Sequence, residues 1–441
     1  MGSNSDDWRN LKWGDLVELK YGKSLKGYKD NQSGVPVFGT NGQVGFCSQV
    51  LCDFPSIIIG RKGAYRGVHF SDEPFYVIDT AFYIVPKVPL NIKWAYYELL
   101  TQDINGLDSG SAIPSTRRED FYSLPVKVPP LQYQDKLVNI LDNLNFKVRL
   151  NQNTNQTLEQ MAQALFKSWF VDFDPVVDNA LAAGNPIPEE LAHRVEVRKK
   201  AHAIPDFQPL PDNIRNLFPS EFEQTDEPTV GIGGWVPKGW QVTSMHEMVE
   251  TVSKTYNLKE VDEVIFLNTG DIESGKILHN EYSSTIGLPG QAKKTIKKGD
   301  ILYSEIRPQN KRYAFVNFDA EEYVVSTKLM VLRAKEGLEP LLPYFLLTQE
   351  ETVNELQRIA EHRSGTFPQI TYKELSKVLT VLPQEAELVT LFVEQYLKPS
   401  YAKKASLTQH NTQLTKIRDT LLPKLISGEI QLDSSGSSIN Q

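Results

Sequence analysis

The chain has little cysteine, no long apolar run and no excess of positive charge, and each of these absences excludes a class of protein. Two cysteines in 441 residues, Cys47 and Cys52, are too few for a disulfide-stapled fold, and their spacing alone makes a poor zinc site. No apolar run approaches the roughly 18 residues that a membrane-spanning helix needs. Residues 1–7 are polar and acidic, unlike a secretory signal. These features favour a cytoplasmic protein.

The charge balance argues at first against a nucleic-acid partner. The sequence has 47 Lys and Arg against 55 Asp and Glu, a formal net charge of −8, whereas DNA-binding domains are usually basic as a whole. Acidic linkers can dilute basic faces, however, so net charge alone does not decide the question. With 40% hydrophobic and 23% charged residues the chain is globular, and its length predicts two or three domains.

Short segments recur in the same order in both halves of the chain, which indicates an internal duplication. The offset between the copies grows along the chain, as small loop insertions would produce. The matching pairs are Trp8 with Trp240, Pro114 with Pro368, the strand-like run 124–129 with 378–383, and the helical run 158–170 with 414–426.

Each half begins with Gly-punctuated β-branched runs and closes with a long helix, which predicts an α+β fold with two mixed α/β domains in tandem. The predicted strands lie at 35–38, 56–59 and 75–85 in the first half, and at 264–267, 301–303 and 323–333 in the second. Shorter helical segments follow the strands at 92–103 and 341–360.

The long helix of the first half has the clearest periodicity in the chain. Its a/d seam holds over about four heptads and contains Leu137, Leu141, Leu144, Val148, Asn151, Asn155, Leu158, Ala162 and Leu165. The two asparagines are polar seam residues that can fix the helix register. The second copy, 385–426, has a weaker seam, and Pro399 should kink or break it. We expect the two helices to pack as an antiparallel coiled coil, because that buries both seams within one chain with an internal pseudo-two-fold repeat.

Prolines and acidic residues mark the region between the halves as a connector. Seven prolines lie between positions 186 and 228, and residues 206–230 contain six acidic residues and one basic residue, Arg215. A short helix at 189–203 is expected inside this region. The connector therefore accounts for part of the negative net charge without bearing on the charge of either domain.

Motifs for catalysis or metal binding are weak throughout the sequence. Residues 270–276 have the spacing of a phosphate-binding loop, but Ile277 stands where a Mg²⁺-binding Ser or Thr is required, so a strand-turn-strand bend is the better interpretation. Asp300 and Glu305 resemble nuclease acids only loosely. The seven histidines have no metal-ligand spacing, and no adenine-methyltransferase motif occurs. The signals for catalysis and for metal binding are therefore all weak or absent, which is informative for a chain of this length.

Basic clusters with aromatic or amide companions are the features that remain. Lys and Arg neutralise phosphates, Arg pairs with guanine, and Asn or Gln pairs with adenine. A solvated charged face is the simpler account of any one cluster, but recurrence in both copies favours DNA. The candidate DNA-binding residues of the first half are Lys20, Lys23, Lys26, Asn41, Gln43, Arg61, Lys62, Tyr65, Arg66, Arg117 and Arg118. Those of the second half are Lys293, Lys294, Arg307, Asn310, Lys311, Arg312, Arg363 and Gln369.

The sequence resembles the specificity subunits of type I restriction-modification systems over nearly its whole length. Residues 164–175, ALFKSWFVDFDP, resemble the end of that family's central helical region, and residues 421–430 resemble its C-terminal end. Residues 234–240, 299–302 and 306–308 are similar to its domain-entry motifs, and residues 60–63 resemble a run common in its recognition domains. The connector is the loosest match.

The resemblance implies two target-recognition domains whose long helices act as a ruler between two DNA half-sites. It places these domains at 1–129 and 234–383, the helices at 130–177 and 384–430, the connector at 178–233 and a disordered tail at 431–441. Asn41, Gln43, Asn310 and Gln369 are the expected base readers. The implied partners are double-stranded DNA, two methyltransferase subunits that use S-adenosylmethionine to methylate adenine N6, and restriction subunits that use ATP and Mg²⁺. No cofactor would be bound by this chain, and no membrane is involved.

Two other functions stay open from the sequence. The chain is alternatively the recognition part of a variant or fused restriction-modification enzyme, although it lacks the several hundred residues of a catalytic core. It is alternatively a coiled-coil scaffold without a role on DNA. Gel-shift experiments on random-site DNA, with and without a methyltransferase subunit, distinguish the scaffold from the other two.

Overall fold

The computed structural model describes residues 8–63, 65–107, 114–363, 365–430 and 432. The tail predicted at 431–441, apart from Leu432, and the N-terminal residues 1–7 thus lie outside the described residues. The chain divides into two compact units, each of which contains the strands of one repeat and parts of both long helices. Unit 1 comprises Met1–Asn151 and Gln409–Gln441, and unit 2 comprises Gln152–Thr408.

The strands and helices of the first repeat follow the predicted order. Its strands are β1 (Arg9–Lys12), β2 (Val17–Tyr21), β3 (Val35–Gly39), β4 (Gly42–Cys47), β5 (Ser56–Gly60), β6 (Val68–Ser71), β7 (Tyr76–Val77), β8 (Ala81–Pro86) and β9 (Pro125–Val128). Its helices are α1 (Trp13–Leu16), α2 (Ile92–Leu99), α3 (Arg118–Ser123) and the long α4 (Leu131–Phe170). The single strand predicted at 75–85 is two strands, because a turn at Asp79 and Thr80 separates β7 from β8.

The connector and the second repeat contain more helix than the sequence indicated. The helices are α5 (Asp174–Ala183), α6 (Ala192–His202), α7 (Asp212–Arg215), α8 (Met245–Met248), α9 (Leu341–Leu347), α10 (Glu350–Arg363), α11 (Tyr372–Leu375), α12 (Ala386–Phe392) and α13 (Lys398–Ser427). The strands are β10 (Phe222–Gln224), β11 (Trp235–Pro237), β12 (Trp240–Ser244), β13 (Val249–Val252), β14 (Glu263–Leu267), β15 (Ile272–Glu273), β16 (Lys276–Ile277), β17 (Ser283–Ser284), β18 (Ala292–Thr295), β19 (Ile301–Ser304), β20 (Tyr313–Phe315), β21 (Tyr323–Ser326), β22 (Leu329–Ala334) and β23 (Leu379–Pro383).

Three sheets build unit 1. An antiparallel sheet has the strand order β2-β8-β5-β6, a second sheet has the order β4-β3-β7 with β3 and β7 parallel, and β1 pairs with β9. Helix α2 lies against β5 and β6. The core contains Trp13, Phe82 and Trp94 from this repeat together with Leu137 of α4 and Leu425 of α13.

Unit 2 repeats the four-stranded antiparallel sheet, the parallel pair and the β1-β9 type of pair, which confirms the internal duplication. It adds β18 beside the parallel pair and the separate pairs β10-β11 and β15-β16. Its antiparallel sheet has the order β13-β22-β19-β20, β14 and β21 form the parallel pair between β17 and β18, and β12 pairs with β23. The predicted strand at 323–333 is again two strands, β21 and β22. The predicted helix at 341–360 is likewise two helices, α9 and α10.

The two long helices contact each other in an antiparallel sense within unit 1. Residue numbers fall along α13 as they rise along α4: Asn145 binds Arg418 at 3.0 Å, and Asn151 binds Asn411 at 2.8 Å. The phenol of Tyr133 donates to the carbonyl oxygen of Ile430, beyond the end of α13, at 2.9 Å.

Unit 2 contains the same antiparallel contact between the remaining parts of α4 and α13. Asn155 donates to Thr408 at 3.2 Å, and Glu159 accepts from Tyr401 at 2.7 Å and from Lys404. All nine predicted seam residues are buried or half-buried. The antiparallel packing that the seams predicted is therefore confirmed.

The disturbance predicted at Pro399 takes the form of a π-helical turn. Residues Val393–Leu397 are π-helical and join α12 to α13, in which Pro399 is the second residue. Proline has no N–H for a helical hydrogen bond and its ring clashes with the preceding turn, and a π-turn is one of the ways in which a helix accommodates such a defect. Pro423 lies inside α13 near its end.

The connector is a packed helical hairpin, and the short helix predicted at 189–203 is present there as α6. Arg194 binds Asp174 at 2.6 Å, and Arg198 binds Asp178 at 2.5 Å, with both guanidinium groups largely buried. The hydrogen bond to Asp178 is the largest of the causes that raise the pKa of Arg198. Both of these aspartates precede the acidic stretch 206–230, within which Asp212 pairs with Arg215 at 3.0 Å.

The bend predicted at 270–276 is also present. Strands β15 and β16 pair as a short antiparallel hairpin, and Ser274 and Gly275 at its turn have φ values of 45° and 82°. Asp300, one of the acids considered for a nuclease, is buried and forms a bidentate hydrogen-bonded pair with Arg333. That carboxylate therefore has a structural partner.

Candidate nucleic-acid interface

Topology brings the basic clusters of the two repeats to equivalent places. In each repeat an edge hairpin of the antiparallel sheet has a seven- or eight-residue connection, which we call hairpin loop 1 (residues 61–67, between β5 and β6) and hairpin loop 2 (residues 305–312, between β19 and β20). An isolated bridge joins each loop to a later loop of its own unit, Lys62 to Ser115 and Ile306 to Gln369. The duplicated fold therefore presents one such loop per repeat.

Arg66 anchors hairpin loop 1 from the inside. Its guanidinium donates to the carbonyl oxygens of Gly63 at 3.0 Å and Asn105 at 2.7 Å, and only 2% of the residue is exposed. Gly60 at the start of the loop is required by close approach, since a Cβ there would lie 2.7 Å from the Thr40 carbonyl oxygen. Arg66, predicted to bind DNA, therefore has no guanidinium facing solvent in this structure.

Lys62 and Tyr65 are the predicted residues that hairpin loop 1 turns outward. Lys62 is exposed, and 71% of Tyr65 is exposed. Asn41 lies beside them on the turn between β3 and β4. In the orientation that its neighbours require, the Asn41 amide donates to the carbonyl oxygens of Thr40 and Tyr65. This side chain therefore braces the loop as well as being exposed.

Two arginines share one aromatic ring on the surface of unit 1. The guanidinium carbons of Arg61 and Arg118 lie 4.8 and 3.9 Å from the ring centroid of Tyr21, which is 46% exposed. Arg61 also donates to the Asp79 carbonyl oxygen at 3.0 Å. Neither arginine has an acidic partner within 4.0 Å among the described residues. Two guanidinium groups that are held in place and have no acidic partner favour binding of an anion such as a DNA phosphate.

The other predicted residues of the first repeat vary in their availability. Lys20 is paired with Glu18 at 2.6 Å, and this hydrogen bond is the main cause of the lowered pKa of Glu18. The exposed members are Lys23, Lys26, Gln43 and Arg117.

Hairpin loop 2 has an unusual backbone. Arg307 and Lys311 have φ values of 43° and 52°, in the left-handed region that disfavours side chains, and a short 3₁₀ turn, Pro308–Asn310, lies between them. Each such residue costs about 1–3 kcal/mol and persists only where the surroundings hold it. Here the Arg307 N–H donates to Pro368, and the Ser274 N–H donates to the carbonyl oxygen of Lys311 at 2.7 Å.

The basic side chains of hairpin loop 2 divide into inward and outward groups. Arg312 donates to the Ile272 carbonyl oxygen at 2.9 Å, much as Arg66 does in the first repeat, and Lys311 pairs with Glu350 at 2.6 Å. Arg307 and Asn310 are exposed. Their side chains have no hydrogen-bond or ion-pair partner among the described residues.

The remaining predicted residues of the second repeat are only partly available. Lys294 is half-buried, its ammonium donates to the carbonyl oxygens of Thr327 and Leu329, and burial lowers its pKa. Arg363 pairs with Glu374 at 3.0 Å. Lys293 is exposed and Gln369 is half-buried. Lys294, like Arg66, therefore donates its hydrogen bonds to backbone carbonyl oxygens of its own unit.

Two residues at these surfaces were absent from the predicted set. Tyr21 contacts both Arg61 and Arg118 through its ring. Gln309 is exposed on hairpin loop 2, between the predicted residues Arg307 and Asn310. Hairpin loop 2 follows β19 as hairpin loop 1 follows β5 in the equivalent sheet, but no sequence pattern marks Gln309 itself.

The described residues show neither a metal centre nor a membrane span. No group of three or more His, Cys, Asp or Glu side chains is placed to hold a metal ion in the part of the chain that the structure describes. Among those same residues, no helix is both long and apolar enough to cross a bilayer.

Comparison with known protein families finds one matching model. The model of the type I restriction modification DNA specificity domain matches residues 5–160 and 237–388, one match in each half of the chain. The matched segments together cover more than half of the sequence.

Individual proteins show the same similarity. The HindI specificity subunit of Haemophilus influenzae is 46% identical over 147 residues, which is 33% of this chain and 32% of that subunit, so the match spans about a third of that relative. The EcoDI specificity subunit of Escherichia coli is 23% identical over 96% of this chain and 89% of its own length. The crystal structure of a type I S subunit from M. genitalium covers 97% of this chain and 98% of its own, with a TM-score of 0.54 and 15% identity, and shows a similar fold.

Proposed function

Because the chain belongs to the family of type I restriction-modification DNA specificity subunits, we propose that it reads a bipartite DNA target, one half-site per repeat. Members of this family are the DNA-recognition components of their systems and are not themselves catalytic. One observation carries the bipartite assignment: hairpin loops 1 and 2 occupy the same topological position in two repeats, and each turns cationic side chains outward. Duplicated reading elements suit a target with two separate halves.

The outward residues are the proposed DNA contacts. In the first repeat Arg61 and Arg118 form the phosphate site at Tyr21, and Lys62 extends it along the loop. In the second repeat Arg307 and Asn310 face the half-site. Exposed Lys and Arg supply the sequence-independent attraction to phosphates, and the loop residues supply base contacts.

The long helices are proposed to set the distance between the half-sites. An α-helix rises about 1.5 Å per residue, so the lengths of α4 and α13 would determine how many base pairs the non-specific gap contains. Support comes from the antiparallel contacts along both helices, which leave little freedom for one to slide on the other.

The same helices are the proposed docking surface for methyltransferase subunits. Five large apolar side chains lie exposed on the described parts of these helices: Leu131 at 43%, Phe146 at 59%, Leu150 at 44%, Met161 at 63% and Ile417 at 47%. Apolar residues in these numbers on helix surfaces favour protein partners. We propose two methyltransferase subunits, which carry S-adenosylmethionine and methylate adenine, and restriction subunits that use ATP and Mg²⁺, all acting in the cytoplasm.

The test uses the chain assembled with its methyltransferase subunit. Mapping N6-methyladenine in cellular DNA would give the target motif, and binding would then be measured with one half of that motif scrambled at a time. Gln43→Ala, at an exposed residue that the sequence predicted to read a base, should weaken binding by about 10-fold when the half it reads is intact and by much less when that half is scrambled. Arg307→Ala should show the same pattern with the other half. If either variant lost equal affinity whichever half was scrambled, the assignment of one repeat to one half-site would be wrong.

A further inference from the structure

Backbone strain in the described chain concentrates at hairpin loop 2. Four described residues other than glycine have a positive φ, and three of them, Ser274, Arg307 and Lys311, meet there through the hydrogen bond between Ser274 and Lys311. Conformations of this kind persist only when neighbouring structure holds them, and they cluster at binding sites. This loop therefore has a shape that its surroundings impose.

Several separate segments hold the loop. The Arg307 N–H donates to the Pro368 carbonyl oxygen, and the Ile370 N–H donates back to Glu305 at 2.8 Å. From α10, the Gln357 side-chain oxygen accepts from the Gln309 N–H at 3.2 Å, and Lys311 is paired with Glu350. Gln357 is only 6% exposed, so this contact is a buried one.

Three polar side chains of this loop are exposed and make no hydrogen bond or ion pair with the rest of the described chain. Arg307, Gln309 and Asn310 are exposed, and none of the three side chains has a hydrogen-bond or ion-pair partner within the described ranges. Pro308, buried between the first two, separates them on the surface. Because the backbone of this loop is already fixed, little conformational entropy is lost when its side chains bind a ligand. Such a loop is suited to discriminate between similar ligands.

We propose that hairpin loop 2 reads two neighbouring purines, a guanine through Arg307 and an adenine through Gln309, and that Gln357 is a positioning residue for this reading. The proposal rests on the proposed function. Guanidinium N–H groups donate to guanine O6 and N7. A glutamine amide donates its N–H to adenine N7 and accepts the adenine N6–H with its oxygen. Cα atoms two residues apart lie within about 7 Å, or about two base-pair steps, so the two purines lie close together.

Hairpin loop 1 does not share this chemistry. Hairpin loop 1 displays Lys62 and Tyr65 at its exposed positions, and these provide a point charge and a ring instead of a planar donor-acceptor amide. The purine pair is therefore expected in the half-site of the second repeat alone, and it is this asymmetry that the experiment tests.

The experiment measures methylation by the complete complex on DNA libraries in which every position of the motif is randomised in turn. Gln309→Ala should reduce discrimination at one A·T pair by about 10-fold, and Arg307→Lys, which keeps the charge, should relax a neighbouring G·C pair. Gln357→Leu should relax the same A·T pair as Gln309→Ala and leave the other half-site unchanged, which a general loss of stability would not do. Gln241→Ala, an exposed glutamine of β12 in the same unit, is the matched control and should change nothing.

Two results would overturn the proposal. The first is that the Gln309→Ala and Arg307→Lys complexes keep the wild-type motif. The second is that the relaxed positions fall in the half-site whose recognition Gln43→Ala alters. A wild-type complex with no sequence preference at all would be a different failure, because it would overturn the proposed function itself and the reading loop with it.

Discussion

Asn151 and Asn411 bind each other inside the helix pair of unit 1. The Asn151 amide nitrogen donates to the Asn411 side-chain oxygen at 2.8 Å, and Asn411 donates in turn to the Val148 carbonyl oxygen at 3.3 Å. Only 2% of Asn151 is exposed. A polar pair in a mostly apolar seam, with Asn151 buried and Asn411 half-buried, favours a single register, because every shifted register leaves an amide without a partner.

Two kinds of substitution at this pair should show separately how it affects the free energy of unfolding and how it affects the register of the helices. Asn151→Ala should lower the free energy of unfolding by about 1–2 kcal/mol, as measured by denaturant titration, while Asn153→Ala at an exposed position of the same helix should have almost no effect. The double variant Asn151→Leu with Asn411→Leu should be at least as stable as the wild type but should populate additional species in size-exclusion chromatography. A single species with the wild-type elution volume would show that the asparagines do not specify the register.

Lys62 and Arg66, four residues apart in hairpin loop 1, should respond differently to substitution. Arg66→Ala should lower the free energy of unfolding by about 2–4 kcal/mol, because it leaves the carbonyl oxygens of Gly63 and Asn105 without a donor. Lys62→Ala should leave the melting temperature unchanged, lower DNA affinity and reduce the slope of log K against log salt concentration by about 1. Thermal melting and salt-dependent binding of the assembled complex measure the two effects. The reverse pattern would contradict the inward and outward assignment.

Glu98 should make stability depend on pH. Burial raises the pKa of this carboxyl to about 7, and the hydrogen bond that Gln102 donates to it at 2.7 Å offsets the rise only in part. The folded state then binds more protons than the unfolded state between the ordinary carboxyl pKa and about 7, so stability is highest below that range and falls as pH rises through it. Glu98→Gln should therefore stabilise the protein at pH 8, by up to about 3 kcal/mol, and should have little effect at pH 4.

A melting series from pH 4 to pH 8 tests this expectation. In the second repeat Phe345 occupies the position of Glu98 by alignment of the run 95–102 with 342–349, and it is fully buried. An aromatic residue at the equivalent site shows that this fold does not require a carboxyl group there. A wild-type profile parallel to that of Glu98→Gln would mean that Glu98 is ionised without cost.

Glu159 should be the most sensitive polar residue of the helix contact in unit 2. It accepts hydrogen bonds from Tyr401 and Lys404 and lies 3.4 Å from the Tyr344 hydroxyl, and both members of its ion pair are only 17% exposed. Glu159→Ala should cost about 3–5 kcal/mol, since it leaves a largely buried ammonium without a partner. Adding Lys404→Met should restore much of the loss in denaturant unfolding. Full additivity of the two substitutions would argue against a coupled pair.

Much of the architecture was predictable because it depends on regular spacing. The seam residues from Leu137 to Leu165 repeat every three or four positions, and that spacing alone requires one helical face to be buried. The duplicated segments predicted two domains of one topology, which the strand orders confirm. Pro399 was correctly identified as a disturbance, although the sequence did not indicate that a π-turn would absorb it.

The candidate DNA-binding residues were less predictable, because exposure depends on partners distant in the sequence. Arg66 is buried against Asn105, and Lys294 is held by the carbonyl oxygens of Thr327 and Leu329, more than 30 residues away. Gln309 was overlooked because a glutamine between Pro308 and Asn310 has no distinctive pattern. Its backbone contact with Gln357 arises only after α10 packs on the loop.

The amino-acid sequence by itself determined the duplication, the long helices and their antiparallel pairing, because periodic burial of apolar side chains is a local property of the chain. Only the tertiary structure decided which cationic side chains face solvent and which loop is rigid. Both depend on hydrogen bonds between residues that are tens of positions apart in the sequence. Lys62 and Arg66 lie in the same short loop and both are basic, yet one faces solvent and the other holds the backbone. The carbonyl oxygens that Arg66 satisfies exist as a site only in the folded chain.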